Sequence, residues 1–168
     1  MEYVSSDTNV WIDFLEIDRL ELPFRLPCTF IMSKEAAQDE LLSPPGLCEK
    51  LISYGLLPVD ITVEEFFLAE QYGQTYKRLS TYDCLALAIA KARNITLLTG
   101  DGALRKAADQ EGVPKMGTLT VPDKLLQTGA IDANEMLHCL NLLKMKNGKA
   151  IRLPVEEIGK RIDALSRK

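Results

Sequence analysis

A single histidine, His138, and four cysteines, Cys28, Cys48, Cys84 and Cys139, set far apart with no CxxC pair, deny this chain both zinc-site spacing and a disulfide framework. Its thiols are expected to be reduced, as in the cytoplasm. No run approaches the ~18 apolar residues of a membrane span, and the opening MEYVSSD has neither a basic leader nor an apolar signal core. A soluble, cytoplasmic protein is the expectation. Internal repeats, low-complexity tracts and base-reading motifs are also missing. Positive charge is short: 20 Lys and Arg face 24 Asp and Glu, a net −4, which argues against a surface that adheres to nucleic acid at large. The shortage is uneven. Residues 140–168 hold eight Lys or Arg against Glu156, Glu157 and Asp163, a local +5 that leaves −9 for residues 1–139. The acidic part has the charge to house a metal ion; the basic tail either touches a polyanion or is an ordinary solvated helix surface.

What is present, 168 residues at 46% hydrophobic and 26% charged, suits one globular domain able to bury a core. The chain is organised around residues 80–106, STYDCLALAIAKARNITLLTGDGALRK. Ser80 followed three residues later by Asp83 is a helix-start signal, and the spacing predicts a helix to about Arg93. Asp83, Ala86, Leu87 and Ala90 then share one narrow face, which sets a carboxylate at the head of the surface that packs inward. Residues 95–100, ITLLTG, form a short apolar run of the kind that makes a strand buried on both faces, and Asp101 follows directly. In open parallel sheets the ligand crevice lies beyond the carboxyl ends of the strands, so Asp101 and the helix start carrying Asp83 are predicted to share one rim.

Upstream, Glu2–Ser6 reads as a first strand, and Asp7-Thr8-Asn9 leads into a helix with Val10, Trp11, Phe14 and Leu15 facing inward. Asp7 is open to two readings, helix cap or site carboxylate, and Asn9 is equally explained as a turn residue. Residues 28–32 form the next apolar run. Ser33 starts a helix, KEAAQDELL, stopped by Ser43-Pro44-Pro45-Gly46. Of its acids Glu40 alone lies toward the apolar face, while Glu35 and Asp39 point away; a surface glutamate reaching for solvent is the plainer alternative. Residues 46–54 are predicted helical and 56–61 a strand, and Thr62-Val63-Glu64-Glu65 opens a further helix through a capping pattern. After Asp101 come a helix to about Gln110, a last short strand within 113–119 and an all-helical stretch over 122–165. There Met136, Leu140, Leu143, Ile158, Ile162 and Leu165 form a stripe that reads as core or partner surface. The βαβα alternation predicts an α/β fold with a central parallel sheet, right-handed crossovers and helices on both faces.

Four acids converge on this reasoning: Asp7 and Asp101 after strands, Asp83 at a helix start, Glu40 on an inward helical face. Crowded carboxylates repel, and one must keep its proton unless a cation neutralises the group. Oxygen ligands without Cys or His suit Mg²⁺ or Mn²⁺, and such an ion can bind a phosphate oxygen and activate water, so phosphodiester hydrolysis is the natural reaction class. His138 reads as an ordinary helix residue rather than a general base.

The order Asp7-Thr8-Asn9, Glu40-Leu41, Asp83 before an Ala/Leu helix, and Leu98-Thr99-Gly100-Asp101 resembles a PIN-domain ribonuclease. The resemblance covers residues 1–120, the PIN-like nuclease domain, and implies a three-layer α/β/α arrangement; residues 121–168 are read as a helical C-terminal extension packed on the same domain. Within it GKAIRLPVEEIGKRI resembles the tail of a VapC-like toxin subgroup. The resemblance implies a metal-dependent endoribonuclease in which Asp7, Glu40, Asp83 and Asp101 hold one or two Mg²⁺ or Mn²⁺ ions, with Asn9 and Thr99 at polar positions that orient the carboxylates or the water. It also implies the toxin of a toxin–antitoxin pair, a homodimer blocked by a small antitoxin protein. One departure stands out: many relatives carry another acid just after the last aspartate, where this chain has Gly102-Ala103. RNA would be held mainly through phosphates, with Lys77, Arg78, Arg105 and Lys106 near the rim in sequence. Two rivals remain: a catalytically silent PIN-like scaffold that binds RNA or a protein, and a haloacid-dehalogenase-type phosphatase, suggested by Gly100-Asp101-Gly102 but weakened by Asn9 where that family expects an acid.

Overall fold

The computed structural model describes residues 2–167. Five strands, β1 (Glu2–Ser6), β2 (Cys28–Ser33), β3 (Leu57–Val59), β4 (Thr96–Leu98) and β5 (Lys115–Met116), form one parallel sheet in the order β3-β2-β1-β4-β5. β1 is central: Val4 stands between Phe30 of β2 and Thr96 of β4, and Ser6 pairs with Leu98. The chain therefore winds outward in both directions from β1, and the order reverses beside it. Elements following β1 and β4 leave the sheet at one shared carboxyl edge, where such sheets open a crevice.

Helices cover both faces. On one side α1 (Thr8–Glu16), α7 (Thr120–Gln127), α8 (Ala133–Lys146) and α9 (Val155–Ser166) contribute Trp11, Phe14, Leu125, Leu140, Leu143 and Ile158 to a single buried cluster with Val4, Phe30, Met32 and Leu98. On the other, α4 (Val63–Thr75), α5 (Thr81–Arg93) and α6 (Gly102–Gln110) enclose a second cluster around Leu87, Leu97 and Leu104. Leu97 and Leu98 point to opposite clusters, as the two-residue period of a strand requires. The result is three layers, α/β/α. Residues beyond 120 share the first cluster with β1 and α1 rather than forming a core of their own.

α5 is the layer most completely enclosed. Seven consecutive residues, Cys84 to Ala90, are buried because the helix lies between the sheet and α4. Its alanines let the backbones come close enough for the Ser5 hydroxyl to donate to the Ala86 carbonyl at 2.9 Å. That bond ties the middle strand to the helix whose first turn carries Asp83.

The remaining helices, α2 (Lys34–Glu40) and α3 (Leu47–Tyr54), follow β2. Several boundaries differ from the sequence reading, each for a local reason. α2 stops at Glu40, two residues early, because Leu41 turns out of helical geometry and is buried in the core. The predicted strand within 56–61 shrinks to β3, an edge strand with Pro58 unable to donate to a ladder. The strands within 95–100 and 113–119 shrink to β4 and β5, and the Gly117 amide donates to the Thr120 hydroxyl at 3.1 Å instead of extending a ladder. The all-helical stretch over 122–165 is broken by a loop at residues 147–154, where Gly148 takes φ +87° and Asn147 bridges to Ile151.

Candidate active site

Register places the first two acids. Because Ser6 pairs with Leu98, the residues just beyond β1 and β4 lie side by side, and the Asp7 amide donates to the Leu98 carbonyl at 2.9 Å. The Thr99 hydroxyl donates to Asp7 Oδ2 at 2.9 Å and accepts from the Asp101 amide at 3.0 Å, so one fully buried side chain joins both strand ends. Asp7 Oδ1 accepts from the Thr8 amide at 2.8 Å as the cap of α1, and Asp101 Oδ2 accepts from the Leu104 amide at 2.8 Å as the cap of α6.

The other two acids arrive from flanking helices. Glu40 ends α2, and its Oε1 accepts from the Thr8 hydroxyl at 2.8 Å, which draws it to the start of α1. Asp83 sits in the first turn of α5 in a reciprocal capping box: Ser80 N donates to Asp83 Oδ2 at 2.9 Å and Asp83 N donates to the Ser80 hydroxyl at 3.1 Å. The neighbouring Asp39 accepts from the Tyr82 hydroxyl.

Each acid thus has a structural duty, and the capping reading of Asp7 is correct as far as it goes. It does not account for the charge. Burial, then the negative charge of Asp83 and Glu40, drives the Asp7 carboxyl up to about 7 against the lowering effect of its bonds to Thr99 and Thr8. Burial also raises Glu40 and Asp83, the latter further by Asp101. Among the described residues no lysine or arginine forms an ion pair with any of the four. Glu40 Oε2, Asp83 Oδ1 and Asp101 Oδ1 have no hydrogen-bond partner there. Unneutralised carboxylates with free oxygens match a hard divalent cation in donor chemistry. As placed, no three acidic side chains among the described residues are close enough to share one ion.

The sequence reading missed three residues. Asp13, one helical turn after Asn9 on α1, is buried and accepts from the Thr118 hydroxyl at 2.6 Å; burial lifts its carboxyl to about 6. The i, i+4 spacing from Asn9 was the available signal. Asn9 and Asp13 line a cleft of about 360 Å³ together with Asp101. Thr8, which holds Glu40, had no signal beyond its neighbour. Arg152, in the loop before α9, lines the same cleft.

Of the four basic residues predicted near the rim, the structure brings in Arg105. Its Nη1 donates to the Thr99 carbonyl at 3.3 Å, and a Cβ at Gly117 would meet that nitrogen at 2.5 Å, so the tip of the guanidinium occupies the space that a side chain at 117 would need. Lys77 and Arg78 are exposed between α4 and α5, and Lys106 is exposed on α6. His138 is exposed on α8.

Thr99→Val keeps volume but strips the hydroxyl that joins Asp7 to Asp101. Losing a hydrogen bond to a carboxylate disfavours its ionised form, so the Asp7 titration is expected to move upward, readable by carboxyl NMR. Two polar groups left unpaired should also lower stability by about 2–4 kcal/mol in a denaturant melt.

Fold and rim together define an α/β/α domain with four carboxylates, Asp7, Glu40, Asp83 and Asp101, grouped near the carboxyl edge of a parallel sheet. A family model described as PIN domain matches residues 3–166, and the chain belongs to the PIN-domain family. PIN domains are generally nucleases that need a divalent metal ion. No curated protein and no solved structure matches the chain. Among the described residues no helix is long and apolar enough to cross a membrane.

Proposed function

We propose that this protein is a metal-dependent endoribonuclease that hydrolyses RNA phosphodiester bonds, with Asp7, Glu40, Asp83 and Asp101 holding Mg²⁺ or Mn²⁺. The observation that carries this reading is the Asp7 carboxyl, buried, pushed up to about 7 by burial and by Asp83 and Glu40, and paired among the described residues with no basic side chain. A divalent ion, when bound, supplies the missing positive charge and Lewis-acid activation of water and phosphate. The chain's own residues do the rest. Thr99 holds Asp7 and the Asp101 backbone in one orientation, Thr8 does the same for Glu40, and the capping box fixes Asp83. Asn9, exposed at the start of α1 and lining the cleft with Asp101, is assigned the orienting of a nucleophile or a carboxylate.

The same reading extends to biology: a toxin restrained by a small antitoxin protein, acting as a homodimer in the cytoplasm. A second reading, a silent scaffold, draws on the caps, which give Asp7, Asp83 and Asp101 a structural reason to be present, and on the absence of a three-acid ligand group among the described residues.

The test is cleavage of a labelled single-stranded RNA with Mn²⁺, Mg²⁺ or EDTA, beside Asp83→Asn purified in parallel. Cutting by the wild type in either metal, lost in EDTA and in the variant, is the expected result. No cutting, together with no heat of metal binding in calorimetry, would replace the nuclease with the scaffold.

A further inference from the structure

An acidic rim repels the substrate proposed for it. Residues 1–139 carry −9, and Asp13 lines the same cleft as Asp101. Positive charge outside the carboxylates but along the strand's path would offset that repulsion and favour the strand's approach. The +5 of residues 140–168 is the reserve, and the fold decides which part of it is delivered.

Two clefts meet at the Gly100–Gly102 turn. One, about 360 Å³, contains Asn9, Asp13 and Asp101; the other, about 820 Å³, contains Arg105 and Thr118. Arg152 lines both, and it is the one basic side chain among the described residues lining the smaller. In the larger, Arg161 is already neutralised by Asp123 at 2.8 Å and Glu157 at 3.2 Å. Arg152 forms no ion pair or side-chain hydrogen bond among the described residues, and Arg105 bonds only to the Thr99 carbonyl.

Arg152 is not on a loose tail. Asn147 clamps its loop: Nδ2 donates to the Leu153 carbonyl at 2.9 Å and Oδ1 accepts from the Leu153 amide at 2.8 Å, while Gly148 N donates to the Ile151 carbonyl at 2.8 Å. Ile151 is fully buried in the main core. The Arg152 backbone is thus held between an anchored Ile151 and a clamped Leu153, so the loop itself has little freedom left to lose on binding.

We infer that Arg152, delivered by this clamped loop of the C-terminal segment, binds a backbone phosphate of single-stranded RNA next to the bond at the carboxylate rim and, with Arg105, leads the strand from the Asp101 cleft into the larger one. The inference rests on the nuclease reading for the strand's direction, but its test does not need cleavage. Phosphate contact carries no sequence information, so this segment contributes affinity and register rather than base choice.

The experiment is fluorescence anisotropy with a labelled single-stranded RNA in EDTA, which withholds the metal that cleavage needs, over a salt series from about 50 to 200 mM. Arg152→Ala is expected to weaken binding about fivefold to tenfold on every RNA sequence and to flatten the salt slope by roughly 0.7, the mark of one lost phosphate contact. Arg152→Lys keeps the slope. Lys149→Ala, the same charge change on the same loop but outside both clefts, leaves affinity within about twofold. Equal losses in Arg152→Ala and Lys149→Ala, an unchanged slope, or a wild type that does not bind this RNA at low salt would each overturn the inference. A wild type that binds with the expected slope but cuts cleavable RNA in neither metal leaves the phosphate contact standing and removes the nuclease.

Discussion

Asp7→Asn is expected to do two opposite things: remove RNA cleavage and make the metal-free protein more stable at neutral to alkaline pH. The first effect follows from losing a proposed metal ligand, which costs more than the roughly 10- to 100-fold incurred by removing a partner behind a ligand. The second follows from the sign of the shift. In the fold the Asp7 carboxyl is raised from 3.8 to about 7 by burial and by its acidic neighbours, so the folded state holds this proton more tightly than the unfolded chain. The stability this contributes is fully present below about pH 4 and is lost as pH rises through about 7. Above that, an ionised carboxylate stays buried at a cost on the order of a few kcal/mol.

An asparagine has no such charge, and its oxygen can still accept from the Thr8 amide. Melting curves without metal should therefore show the variant above the wild type near pH 8 and the two converging below about pH 4, with added Mg²⁺ or Mn²⁺ raising the wild type selectively. This is the trade between stability and function expected where a site gathers like charges. A variant that melts below the wild type at pH 8, or that cuts RNA at the wild-type rate, would sink the account of Asp7.

Trp11→Ala carries the largest expected loss of stability. The indole is fully buried, stacked on Phe24 at 5.0 Å between ring centroids and edge-on to Phe30 at 5.2 Å, and its Nε1 donates to the Ser6 hydroxyl at 3.2 Å. It pins α1 to the central strand one residue before Asp7. Truncation leaves a large void that the surrounding aromatic rings fill only in part, for a cost of about 3–5 kcal/mol. For a chain of this size that is a fall in melting temperature of roughly 10 °C. The Ser6 hydroxyl keeps its own bond to the Ile31 carbonyl at 3.0 Å, so the loss should be one of packing, not of an orphaned polar group. A loss under about 1 kcal/mol in a urea melt would mean that Phe24 and Phe30 close the gap.

The larger part of the fold was legible because local signals agreed with the global arrangement. Ser80 and Asp83, Thr62 and Glu65, and the Pro44-Pro45 stop mark element ends through chemistry that acts within four residues, and the observed α5 and α4 begin where those caps lie. The four acids were legible for the same reason: three stand at element ends and Glu40 on a helical face, positions that period and punctuation locate. Strand lengths were not. Whether β3 and β5 extend depends on ladder partners across the sheet, which no local pattern carries.

By itself, then, the sequence determined the alternation of strands and helices, the core faces and the presence of carboxylates at strand ends, since these follow from side-chain period and capping along the chain. Only the tertiary structure decided what the acids meet. Registering β1 against β4 gave Asp7 and Asp101 one shared threonine, burial with Asp83 and Glu40 raised the Asp7 carboxyl, and folding the C-terminal segment onto the first core carried Arg152 to the rim. Each of those depends on residues tens of positions apart coming into contact, and the energy that brings them there is the burial of apolar surface elsewhere.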